Sequence, residues 1–134
     1  MKPEDSIHIS IIEYMAWKYP DVLVIHIPNG GSRNVIEATK LKRMGVRPGV
    51  PDLFIPVSSK LSLQSIKPKI ELGIMWKDCV LAYNGFFCEI KAGKNKPTTL
   101  QKEMMQKLFD LGYYCCTVWS LEEFIKEWEW YHGK

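Results

Sequence analysis

Apolar and polar positions alternate along the chain in a way that divides it into helices and strands. Over Pro3 to Tyr19, Ile7, Ile11 and Met15 fall on one line with Ile12, Ala16 and Tyr19 beside it, the i, i+4 recurrence that gathers side chains on one helix face. Pro3 suits the first turn of such a helix, and Pro20-Asp21 ends it. Val22 to Ile27 is a β-branched run and predicts a buried strand. After a loop over 28–33, Asn34 can cap a short helix over Val35 to Met44. Its apolar stripe is Val35, Ala38 and Leu41, its other side carries Lys40, Lys42 and Arg43, and Gly45 is the stop.

Past the turn-rich Arg47-Pro48-Gly49, Val50 to Val57 reads as a second strand, with Pro51 at its entry where a missing amide donor is tolerable. Residues 58–78 show no clean period and read as an inserted loop or weak hairpin. Cys79 to Tyr83, Asn84-Gly85 and Phe86 to Ala92 then carry a hairpin signature, because Asn-Gly accepts the positive φ angles of a type I′ turn. A helix capped by Thr98 or Thr99 follows to Leu111, with Leu100, Met104, Leu108 and Leu111 inward and Gly112 as its stop. Tyr113 to Trp119 predicts another strand, and Ser120 with Glu123 a capping box opening a last helix through Trp130. This order predicts an α/β domain in which a mixed sheet is sandwiched by helices.

At 134 residues the chain has room for one domain of the usual ~100–200 residues. No apolar run reaches the ~18 residues of a membrane span. Cys79, Cys88, Cys115 and Cys116 lie in apolar, strand-like runs without CxxC spacing or a preceding signal peptide. They read as reduced core thiols of a cytoplasmic protein rather than disulfides or zinc ligands. The net charge of +3 is too small to imply a polyanionic partner unless the basic residues cluster.

The chemistry-bearing pattern is Asp52 at a strand start and Glu89-Ile90-Lys91 on another strand, 37 positions later. Strand alternation sends Glu89 and Lys91 to one face and Ile90 to the other. Two carboxylates on adjacent strands can share a hard divalent cation, and a lysine beside them can hold or deprotonate a water. The plainer alternative is an exposed ion pair with Asp52 as a turn residue. Against it, Phe86, Phe87, Cys88 and Ile90 make the strand apolar on both faces, so charge there needs a reason.

With these residues in view, the chain resembles a stand-alone VRR-NUC domain, a branch of the PD-(D/E)XK nuclease superfamily. The resemblance runs through Glu4 with His8, Pro28-Asn29-Gly30-Gly31 and Arg33, and Met44-Gly45-Val46-Arg47-Pro48-Gly49-Val50-Pro51-Asp52-Leu53. It continues through Glu89-Ile90-Lys91-Ala92-Gly93-Lys94, Lys96, Gln101 and the last strand-helix unit. Only 58–78 looks inserted. The resemblance implies a restriction-endonuclease-like fold and a metal, Mg²⁺ or Mn²⁺, held by Glu4, Asp52, Glu89 and the backbone carbonyl of Ile90. It gives Lys91 the water-activating role and Gln101 a supporting one. Glu13, on the same helix as Glu4, is a competing acid, and His8 stands where relatives often carry Gln.

Arg33, Lys40, Lys42, Arg43, Arg47, Lys94 and Lys96 fall near these positions in sequence. They suit a phosphate-backbone contact, with Asn29 in a loop able to approach DNA closely; a solvated helix face is the alternative. The function expected is a metal-dependent DNA endonuclease, with a non-catalytic nucleic-acid-binding module as rival. Stand-alone relatives resemble junction-cutting dimers, so a four-way (Holliday) junction as substrate and a homodimer are expected. Trp76, Trp128, Trp130 and Tyr131 are candidates for the interface.

Overall fold

The computed structural model describes residues 1–28, 34–59 and 83–133. Helix α1, Pro3–Lys18, starts on a proline, carries Glu4 and Asp5 in its first turn and Lys18 in its last, so its charges oppose the helix dipole. Strand β1 (Ile25–His26), helix α2 (Val35–Arg43) and strand β2 (Leu53–Ile55) follow. After them come β3 (Phe86–Ile90), α3 (Thr99–Asp110), β4 (Tyr114–Val118) and α4 (Leu121–His132). Among the described residues the strands form one mixed sheet in the order β1-β2-β3-β4. The first two pairings are antiparallel and β3·β4 is parallel.

The pleat sorts side chains between two layers. Leu53, Ile55, Phe86, Cys88, Ile90, Cys116 and Val118 face α1 and α4, where they meet Ile11, Met15, Phe124, Trp128 and Tyr131 in the main core. The opposite face carries Asp52, Phe54, Phe87 and Glu89; Phe54 and Phe87 stack there at 4.5 Å between ring centroids. Helix α3 packs on β4 from this second side, Thr117 Oγ1 reaching Met105 Sδ. All five residues of β3 are buried, as its run of apolar residues predicts for a strand covered on both faces.

Several elements depart from the sequence expectation. The first strand is two exposed residues at the sheet edge, not a buried run over 22–27; among the described residues it has a strand neighbour, β2, on one side only. The cap of α2 is as expected, Asn34 Oδ1 accepting from the Glu37 amide at 2.7 Å. Its apolar stripe, however, is not packed: no residue of α2 is buried, and Val35 and Ile36 are more than 80% exposed. Leu100 on α3 and Leu111 at its C-cap are likewise exposed, and the half-buried residues of the helix are Gln101, Met104, Met105 and Leu108. Glu123 does not close a capping box with Ser120, since its carboxylate accepts instead from the Trp119 amide, one residue earlier.

The type I′ turn at Asn84-Gly85 is also overturned, because neither residue has positive φ. The antiparallel neighbour of β3 is β2, and Asn84-Gly85 extends the parallel ladder instead. The Asn84 amide donates to the Gly112 carbonyl at 2.8 Å, and the Tyr114 amide to that of Gly85 at 2.9 Å. Residues 79–82, the proposed first hairpin arm, lie outside the described residues, as does most of 58–78. At the edges of that gap, Ser59 and Tyr83 bond to each other twice, Ser59 N to Tyr83 O at 3.0 Å and Tyr83 N to Ser59 Oγ at 2.7 Å. The Tyr131 hydroxyl donates to the Val57 carbonyl from below.

Cys88, Cys115 and Cys116 are free thiols; burial pushes Cys115 up to about 12, and the Cys88 thiol followed by burial raises Cys116. Neither is a thiolate near neutral pH. Cys79 lies outside the described residues. No helix among them is long and apolar enough to cross a membrane.

Candidate functional site

Strand register creates the site. Leu53 pairs with Cys88 in the antiparallel β2·β3 ladder, so one step further Asp52 stands opposite Glu89 on the face away from the main core. Three hydrogen bonds fix Asp52. Its Oδ2 accepts from the Ile90 amide at 2.8 Å, and its carbonyl accepts from the Ile27 amide at 2.8 Å and from His26 Nδ1 at 3.1 Å. Glu89 is only 3% exposed. Its Oε1 accepts from Gln101 Nε2 at 3.2 Å and lies 3.6 Å from Lys91 Nζ.

Burial, and next the Asp52 carboxylate, push the Glu89 carboxyl up to about 8, with Lys91 opposing them. Gln101 is held by a local device. Thr98 and Gln101 form a capping box at the start of α3, in which Gln101 Oε1 accepts from the Thr98 amide at 2.8 Å. With its oxygen anchored at the cap, its amide nitrogen is left to reach Glu89.

These side chains surround a cavity of about 170 Å³ lined by Glu4, Gly49, Val50, Asp52, Glu89, Lys91 and Gln101. The structure thus brings together Glu4, Asp52, Glu89, Lys91 and Gln101, with the buried Ile90 supplying the amide that orients Asp52. Glu13 is exposed further along α1 and does not line this cavity. Gly49 makes the close approach possible. Its φ of +83° is strained for any L side chain, and a Cβ there would sit 2.6 Å from the Leu100 carbonyl oxygen, at the turn of α3 that carries Gln101. Gly49→Ala is therefore expected to cost about 1–3 kcal/mol in a denaturant melt. It should also displace Gln101 from Glu89. A variant as stable as the parent would show that the two segments do not touch.

The basic residues are less gathered than their sequence positions suggest. Lys94 joins Lys2, Pro3, Glu4, Ala92, Gly93 and Asn95 around a second, open cavity of about 600 Å³ that shares Glu4 with the first. Lys40 and Arg43 line a separate hollow with Met44. Lys42, Arg47 and Lys96 are exposed and line none of these. Asn29 and Arg33 lie outside the described residues.

Two residues at the site's margin escaped sequence reasoning. Lys2 precedes the helix pattern and had no partner to mark it. His26 sits on a two-residue strand too short to show a period. His8, one turn beyond Glu4, meets the His26 ring edge-on at 4.4 Å between centroids. Burial first, and then His26, lower the His8 pKa, while Asp52 and Asp5 oppose.

The donor set suits a hard divalent cation. Its ligating groups are carboxylates; burial first and the neighbouring Asp52 charge second raise Glu89, and a cation between the two acids would relieve that repulsion. Among the described residues no three His, Cys, Asp or Glu side chains form a cage by themselves. That is compatible with Mg²⁺, which keeps several waters and typically takes one or two carboxylates plus substrate phosphate.

No protein-family model matches the chain, and no curated protein matches it in sequence. Among solved structures a VRR_NUC domain protein superposes with a TM-score of 0.69 at 23% identity, over 98% of this chain and 88% of that one. A mixed sheet between helices, with a carboxylate cavity on one face, places the molecule among α/β proteins of the restriction-endonuclease-like fold. Within that class, it has the VRR-NUC domain fold.

Proposed function

We propose that the chain is a cytoplasmic, divalent-metal-dependent DNA endonuclease, a single nuclease domain with an insertion at 58–78. The observation that carries this reading is the convergence of Glu4, Asp52, Glu89, Lys91 and Gln101 on one cavity from four separated segments. Keeping a carboxylate buried beside another at neutral pH costs free energy, and a module that only bound DNA would gain nothing from it. The VRR_NUC neighbour supports the same reading.

Glu4, Asp52, Glu89 and the Ile90 carbonyl would hold Mg²⁺ or Mn²⁺. Such an ion polarises the phosphoryl oxygen and neutralises charge on the leaving oxygen. Lys91, tethered beside Glu89, would orient the attacking water and stabilise the negative charge that develops on it as its proton leaves to solvent. Gln101 holds Glu89 in place from the α3 cap. The deciding assay is cleavage of labelled linear, nicked, flapped and four-way DNAs with Mg²⁺ or Mn²⁺. No product from any of them, or cutting that survives excess chelator, would end the proposal.

The preferred substrate in this reading is the four-way junction, cut by a homodimer, because a two-fold DNA needs two symmetric nicks and each chain offers one cavity of this kind among its described residues. Trp128 and Tyr131 belong to the core and cannot form the interface. Of the proposed aromatics, Trp130, 56% exposed, remains, and Trp76 is outside the described residues. Light scattering at a mass near 15.6 kDa, with no junction preference in the panel, would exclude this finer claim. Reversing Lys40 and Arg43 to Glu is expected to weaken binding to every DNA by a similar factor, about 10-fold, and to lower the salt slope by about 2. Unchanged affinity in gel shifts would remove α2 from the binding face.

A further inference from the structure

The margin of the cavity holds an arrangement that the proposed mechanism does not use. The Asp52 carbonyl takes two donors, the Ile27 amide at 2.8 Å and His26 Nδ1 at 3.1 Å. A carbonyl oxygen only accepts, so the ring nitrogen facing it carries the hydrogen. His26 is therefore the Nδ1-H tautomer when neutral. Its ring is braced in turn: His8, on α1, stands edge-on to it at 82° between planes. His8 lies one helical turn from Glu4, which lines the same cavity as Asp52. The pair thus ties the helix bearing one acid to the strand bearing another.

The geometry points to His26 as a positioning residue for Asp52, braced by His8, so that the edge strand fixes the carboxylate's backbone from outside the cavity. This rests on the nuclease reading of the site. On this edge His26 shares the Asp52 carbonyl with the Ile27 amide, and β1 itself is two residues long and exposed. A carboxylate in a metal site must be held to within about 0.5 Å, and loss of a supporting hydrogen bond commonly costs about 10- to 100-fold in metal affinity or activity. The residue is exposed and its described ring contact is with His8 alone, so a purely structural role predicts little change on replacement.

The test compares His26→Leu with His26→Asn in the full chain. An Asn amide nitrogen sits the same number of bonds from the backbone as His Nδ1 and can donate to the same carbonyl; Leu cannot. Mn²⁺ binding is read by electron paramagnetic resonance, and kcat and KM on whichever DNA of the panel the parent cuts best. His26→Leu should lose about 10- to 100-fold in kcat with KM for DNA little changed, and should bind Mn²⁺ more weakly, while His26→Asn recovers most of both. Leu retaining parental kcat and Mn²⁺ affinity overturns the inference, as does Asn falling as far as Leu. If His26→Leu does not fold, ¹⁵N imidazole shifts of the parent decide: a protonated Nδ1 supports the hydrogen bond, and a protonated Nε2 with bare Nδ1 overturns it. A parent that neither binds Mn²⁺ nor cleaves DNA fails the nuclease reading, and that outcome is seen before any variant is compared.

Discussion

Glu89→Gln is expected to abolish cleavage and to raise the melting temperature of the metal-free protein at pH 8. Both effects have one origin. Burial and the Asp52 carboxylate move the Glu89 carboxyl from 4.5 up to about 8 in the folded chain. The folded state therefore holds this proton more tightly than the unfolded state. Stability from this group is fully present below about pH 4.5 and drains away as pH climbs through about 8. Gln has the shape of the protonated acid and never ionises, so it escapes that loss. Allowing for Lys91 and for solvent at the cavity mouth, the gain is about 1–2 kcal/mol, or several degrees. The advantage should vanish near pH 4, where both side chains are neutral. Cleavage should fall by at least about 100-fold because an oxygen of the proposed metal ligand is replaced by an amide nitrogen. A variant that cuts normally, or melts lower than the parent at pH 8, would contradict the account.

Trp128→Ala should be the most destabilising single change in the described core. The indole is fully buried. It stacks on His132 at 5.1 Å and on Tyr131 at 5.8 Å, and meets Phe86 at 5.5 Å and Tyr19 at 5.8 Å edge-to-face. Removing it leaves a cavity between α1, α4 and the sheet that these rings are too constrained to fill. The expected cost is about 3–5 kcal/mol, against a total stability of about 5–15 kcal/mol for a domain of this kind. Trp128→Phe keeps most of the ring contacts and should cost far less. Among the described residues the indole nitrogen has no hydrogen-bond partner, so no described hydrogen bond is lost with it. Urea unfolding followed by circular dichroism separates the two. An Ala variant within about 1 kcal/mol of the parent would place Trp128 outside the core.

What the sequence shows of the site follows from what is local. Glu89 and Lys91 share a face because of two-residue alternation, and the apolar residues around them mark the strand as buried. The Thr-x-x-Gln capping pattern is equally local, and it happens to aim Gln101 at Glu89. The pairing of Asp52 with Glu89 is different in kind: it depends on the register of two strands separated by a long excursion, and no spacing along the chain encodes it. His26 was invisible for a related reason, since its role comes from a backbone carbonyl of the neighbouring strand.

Failures elsewhere have the same character. The stripe on α2 is a correct helical period without a packed partner among the described residues, and Asn84-Gly85 is a correct turn pair whose strand found another neighbour. Trp128 and Trp130 look alike in the sequence, yet a helix turns 200° over two residues, so one fills the core while the other faces outward.

The pair of hydrogen bonds between Ser59 and Tyr83 has an evolutionary reading. Ser59 and Tyr83, the described residues on either side of 60–82, are clasped together, and the Tyr131 hydroxyl holds the Val57 carbonyl beside them. The entropic cost of changing the length of that interval grows slowly, about 0.6 kcal/mol per doubling. The interval can thus be lengthened, trimmed or exchanged as a cassette while Asp52 and Glu89 keep their register. Lineages sharing this scaffold can diversify what they recognise without reopening the chemistry.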